Sequence, residues 1–223
     1  MPRHPAIPYV LPFAVFLLFL ALQPYNPLPG AVEQVVRVAI LAGVVWYFSR
    51  PVLDLRVATP ALTVLFGVAV FGLWILPDVL VPGYRGHWLF TNSITGSVKS
   101  SIPSEDLRST WVLVFRTLRA AILVPIIEEL FWRGWLMRWL DNPEFEKVPF
   151  GRYAHQAFWI SAALFASEHG PYWDVGFVAG AAYNFWAIRT KRLGDCILAH
   201  CVTNLCLSLY TIATGKWEVL DPG

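Results

Sequence analysis

The chain has 223 residues, of which 57% are hydrophobic and only 14% charged, with a net charge of +2 and a mean hydropathy of +0.53. Soluble domains carry about 25% charged residues, so this chain lacks the charge to coat a water-soluble surface. Disorder requires low hydrophobicity, and a charge of +2 gives no basic field for nucleic acid. A polytopic all-α membrane bundle remains, because a bilayer core about 30 Å thick is crossed by about 20 apolar residues in a helix.

Seven apolar stretches follow in chain order: 8–27, 32–49, 58–81, 112–139, 154–169, 173–189 and 193–213. The first carries only Arg3 and His4 before it and no small-x-small cleavage signal after it, so it reads as a retained span. The fifth is short and is expected to tilt or to end inside the protein. Placing the N-terminus inside puts Arg3, Arg50, Arg56, Arg138, Lys147, Arg152, Arg189, Lys191 and Arg192 on the inner side. Arg85, Lys99, Arg108 and Lys216 then fall outside. This asymmetry favours a cytoplasmic N-terminus and an outer C-terminus. The chain is read as one integral-membrane domain, 1–223, with N-terminal spans and a long loop over 1–111 and a motif-bearing core over 112–213. Residues 82–111 are long for a structureless loop and suggest an interfacial piece or a lid.

Cys196, Cys201 and Cys206 lie five residues apart on one apolar stretch. That spacing does not suit a disulfide within a helix. No C-x-x-C occurs, so the thiols read as small packing residues.

The informative residues are ionisable groups inside the apolar runs. Glu128, Glu129 and Arg133 sit deep in the fourth stretch. A charge at the middle of a membrane helix costs about 2.5–3.5 kcal/mol, so all three must face the bundle interior. Glu129 and Arg133 are four apart, acid first, the favourable order for a helix ion pair. Glu128 is left about 100° round the helix, at a depth of about 15 Å. A structural arginine such as Arg116 or Arg119 is the plain alternative partner. Phe165 and His169 share a face at the end of the fifth stretch, where Gly170 and Pro171 stop the helix. His200 and Asn204 share a face on the seventh; in lipid each must find a hydrogen bond.

One carboxylate, two imidazoles and one carboxamide at comparable depth form a hydrolytic kit. A carboxylate beside a histidine deprotonates water, and two donors stabilise an oxyanion. The chain has no H-E-x-x-H and no G-x-S nucleophile. Leu193-Gly194-Asp195 lacks the first glycine of an aspartyl G-x-G-D, so Asp195 reads as an interface or cap residue.

Glu128-Glu129-x-x-x-Arg133, Phe165-x-x-x-His169 and His200-x-x-x-Asn204 together resemble the three-motif signature of the CAAX protease and bacteriocin-processing (CPBP, Abi) family of intramembrane proteases. Glu128 through Phe150 also resembles its bacterial, exosortase-associated branch. The resemblance implies a glutamic-type endopeptidase acting on a membrane-associated, CAAX-like or lipidated protein, in a bacterial inner membrane, with exosortase-system proteins as possible partners. It implies catalytic roles for Glu128 and His169 in activating water, and for His200 and Asn204 in holding the oxyanion. Glu129, Arg133 and Phe165 support them. No cofactor is expected. Zinc has been ascribed to the family, but an asparagine among the four points to hydrogen bonding instead. Two other readings use the same residues: a non-catalytic immunity or scaffold protein, and a proton-coupled transporter. The chain lacks the paired broken helices that would support the last.

Overall fold

A computed structural model describes residues 4–98 and 109–219. Seven main helices run through them: α1 (Ile7–Leu22), α2 (Gly30–Val44, continued by a π-turn Val45–Ser49), α3 (Pro60–Leu80), α4 (Thr110–Asp141), α5 (His155–Ser167), α6 (Trp173–Thr190) and α7 (Leu193–Thr214). No strand occurs among the described residues beyond one isolated bridge, Asn92 to Gly96. The seven apolar stretches are therefore seven helices, but five, α1 to α4 and α7, are long and apolar enough to cross a bilayer. The 13 residues of α5 reach only about 20 Å at 1.5 Å each. This helix ends within the bundle. Helix α6 has 18 residues, but Asp174, Asn184, Arg189 and its glycines dilute its apolar character.

Large apolar side chains such as Leu18, Leu65 and Leu209 are more than half exposed on the outward faces. A bilayer is the solvent that accepts such a surface. Exposed aromatic residues collect at both ends of the helices. Trp46 and Tyr47 end α2, Trp139 ends α4, and Tyr153 and Trp159 begin α5. At the opposite ends lie Tyr25, Trp88, Trp111 and Trp173. Two such belts match the headgroup levels of a membrane.

Helix α3 packs along α7, and the contact is close because Gly67 has no side chain. A Cβ there would fall 2.5 Å from the Ala199 carbonyl oxygen. Asp195, fully buried in the first turn of α7, accepts hydrogen bonds from the Ala58 and Thr59 amides (2.8 and 3.3 Å) and from the Thr63 hydroxyl (2.6 Å). It thus caps the start of α3 from another helix, the interface role read from its sequence context. Asp195→Ala would leave these donors unsatisfied in the interior, at a cost on the order of 3 kcal/mol. Thermal unfolding in detergent should show that loss, with Asp195→Asn recovering part of it.

The connection after α3 is not structureless. Arg85 is buried between the rings of Tyr84, Phe90 and Tyr172. Its guanidinium donates to Asp78, to Asp174 and to the Pro171 carbonyl, while Trp173 donates to Leu89. Residues 84–98 therefore lie against the α5–α6 turn. Residues 99–108 of the expected lid lie outside the described residues.

Candidate active site

The site is assembled from α4, α5, α6 and α7. On α4 the helix widens to π geometry over Arg119–Leu123 and Leu130–Leu136, leaving Val124–Glu129 as a single α segment between them. Such insertions recur at functional positions because they redirect side chains by part of a turn. Glu128 and Glu129 end that segment, and both are buried.

The predicted pair is present: Arg133 donates to Glu129 Oε1 at 3.0 Å, with both side chains at 1% exposure or less. An interior guanidinium needs more than one acceptor. Arg133 Nε donates to Asn184 Oδ1 and Nη2 to the Gly180 carbonyl, each at 3.0 Å. The cation lies over the rings of Phe165 and Tyr183, at 5.0 and 5.3 Å. Asn184 in turn donates to the Phe158 carbonyl and to Ser161 Oγ. One arginine thereby ties α4, α5 and α6 together.

Glu129 Oε1 also meets His200 Nδ1, at 2.9 Å. The same oxygen already accepts from Arg133 and serves as the acceptor here too, so Nδ1 carries the proton of this bond. That fixes the His200 ring and turns Nε2 toward Glu128, whose Oε2 lies 3.9 Å away. Glu128 Oε2 is buried and has no hydrogen-bond partner. An oxygen about 2.8 Å from each of these two atoms, an ordinary hydrogen-bond distance, would sit between them at an angle of about 90°. The gap suits a water or a substrate oxygen.

His169 follows the last turn of α5. Its Nδ1 lies 2.7 Å from the Phe165 carbonyl oxygen. A carbonyl accepts only, so Nδ1 donates and Nε2 is left with its lone pair. The His169 ring lies 4.6 Å from that of Phe165, which lies 6.2 Å from that of His200. Trp74 of α3 closes the other side, 5.2 Å from His169. Asn204, one turn beyond His200 on α7, donates one N–H to the Ala120 carbonyl at 2.9 Å. This bond orients the amide and leaves its second N–H available.

The structure thus joins Glu128, Glu129, Arg133 and His200 through direct contacts, and brings His169 against them through the Phe165 ring. Asn204 is anchored to the π-turn of α4. Tyr183, Asn184, Gly180 and Ser161 also belong to this network. None carries a charge, and no spacing in the sequence marks them. Trp132 is buried against Phe13 and Phe165. Trp135 and Trp139 stack on each other and line a cavity of about 330 Å³ with Pro143 and Phe145.

Among the described residues, no group of three or more His, Cys, Asp and Glu side chains is arranged to hold a metal ion.

Residues 110–206 match the Rce1-like family model, described as type II CAAX prenyl endopeptidase Rce1-like. The match covers somewhat under half of the chain and contains Glu128, Glu129, Arg133, Phe165, His169, His200 and Asn204. It ends two residues beyond Asn204, so the likeness to Rce1-like endopeptidases rests on α4 to α7. Helices α1 to α3 lie outside it. No curated protein and no solved structure matches the chain.

Proposed function

We propose that this protein is a glutamic-type intramembrane endopeptidase that hydrolyses a peptide bond near the C-terminus of a membrane-associated, CAAX-like or lipidated protein. The observation that carries the reading is the buried, unpartnered Glu128 Oε2, 3.9 Å from the fixed Nε2 of His200. A carboxylate kept at that depth without a counter-ion is costly, and a reaction that uses its free lone pair accounts for it.

In the proposed mechanism Glu128 and the Nε2 lone pair of His169 hold one water and take its proton as the oxygen attacks the scissile carbonyl carbon. His200 lies between the carboxylates of Glu128 and Glu129. With a proton on Nε2 it donates to the developing oxyanion, and the second N–H of Asn204 donates beside it. Collapse of the tetrahedral intermediate breaks the C–N bond, and the departing amine receives the proton taken from water. Arg133 holds Glu129 in place, and Glu129 holds the His200 ring. The Lys and Arg asymmetry supports a cytoplasmic N-terminus.

The test uses a fluorescence-quenched peptide with an S-farnesyl cysteine four residues from its C-terminus and the protein in lipid nanodiscs. Cleavage on the C-terminal side of that cysteine is expected, with added chelator leaving the rate unchanged. Asn204→Ala should lower kcat about 10²-fold, the effect of one oxyanion donor, with little change in KM. Absence of cleavage of this peptide and of its unprenylated counterpart would overturn the reading.

A further inference from the structure

Tyr183 lies on α6, outside the three motifs and next to the asparagine that holds Arg133. Its ring stacks on the His200 imidazole, with centroids 4.7 Å apart and planes 21° from parallel. The Arg133 guanidinium lies over the same ring at 5.3 Å, and Phe165 meets it edge-on at 6.3 Å. The side chain is 1% exposed. Its hydroxyl lies beside Thr203 of α7, and its ring is what meets His200.

The arrangement has a geometric purpose. The Glu129 bond fixes one atom of His200, Nδ1, but leaves the ring able to swing about the line joining the two groups. A flat surface against one face removes that freedom. Gly180, Tyr183 and Asn184 stand at i, i+3 and i+4 on α6 and share a face. One helix surface therefore supplies a carbonyl and an amide to Arg133 and a platform to His200.

We infer that Tyr183 is a positioning residue: its ring, stacked on His200 and lying under Arg133, holds the imidazole with Nδ1 on Glu129 and Nε2 toward Glu128. The consequence for catalysis rests on the endopeptidase reading, whereas the orientation of His200 can be measured without it.

The experiment compares wild type, Tyr183→Phe, Tyr183→Leu and Tyr183→Met, the last a flexible aliphatic filler of similar length, in nanodiscs with ¹⁵N-labelled histidine. His200 is assigned by the signal lost in His200→Asn. Wild type and Tyr183→Phe should show one His200 species with Nδ1 protonated. Tyr183→Met and Tyr183→Leu should show that signal split or broadened, while those of the remaining histidines stay in place. On the farnesylated peptide, Tyr183→Phe should keep wild-type kcat. The aliphatic variants should lose about tenfold or more in kcat, with KM within about twofold, since small misplacements of reacting groups cost up to about 10²-fold. An unchanged His200 signal in folded Tyr183→Met overturns the inference, as does loss of the signal in folded Tyr183→Phe. Displacement of all histidine signals together in both aliphatic variants would assign Tyr183 to packing alone and also overturn it. If no variant, wild type included, cleaves the peptide, the endopeptidase reading fails while the spectra still decide the role of Tyr183.

Discussion

Glu128→Gln is expected to abolish peptide hydrolysis while leaving the folded protein intact. A positioned general base contributes about 10²–10⁴-fold, and glutamine keeps the shape of the side chain but cannot take a proton from water. The fold should tolerate the change because Glu128 Oε2 makes no hydrogen bond that would be lost. The melting temperature should stay level or rise slightly, since a buried group capable of carrying charge has been neutralised. Glu129→Gln should behave differently. It weakens the bond to Arg133 and the bond that orients His200, so activity and stability fall together. Single-turnover cleavage and thermal unfolding on the same nanodisc preparations separate the two glutamates. A Glu128→Gln protein that cleaves within a few-fold of wild type would remove Glu128 from the chemistry.

The difference between the two acids was legible in the sequence to a useful depth. Glu129 and Arg133 are close neighbours along one chain, and helical geometry alone joins them. Glu128 stands out as the carboxylate that local geometry leaves over. Asp195 was legible as an interface or cap residue, but not which helix it serves, since it caps the start of α3 and not its own helix. Long-range packing decided what the sequence did not reveal. Arg133 takes two further acceptors from α6, and one is a backbone carbonyl that any residue would supply. Tyr183 is an ordinary aromatic in an apolar run until α7 lies beside it. The π-turns of α4 have no compositional mark. The number of helices followed from apolar run length, and the shortness of the fifth stretch with Gly170 and Pro171 after it already pointed to a helix that stops inside the protein, at the turn Gly170–Tyr172.

Arg133 should be the residue whose loss costs the most stability. It is 1% exposed and makes three directed hydrogen bonds, to Glu129, Asn184 and the Gly180 carbonyl. Removing one member of a buried ion pair strands the other, at a cost of about 3–5 kcal/mol. Arg133→Met should therefore destabilise the protein by about that amount in thermal or denaturant unfolding, and folded material should be scarce. Arg133→Lys should recover only part of the loss, because an ammonium is a single point charge and cannot span three acceptors as the planar guanidinium does. The informative variant is the double substitution Glu129→Gln with Arg133→Met. Since it removes both charges, it should be more stable than Arg133→Met alone, a coupling expected for residues in direct contact. The double variant should still be inactive, because glutamine does not fix the proton on His200 Nδ1 as an ionised carboxylate does. A stability loss below about 1 kcal/mol in Arg133→Met, the scale of an exposed pair, would mean that the arginine does not bind the helices together. The geometry of His200 would then need another support.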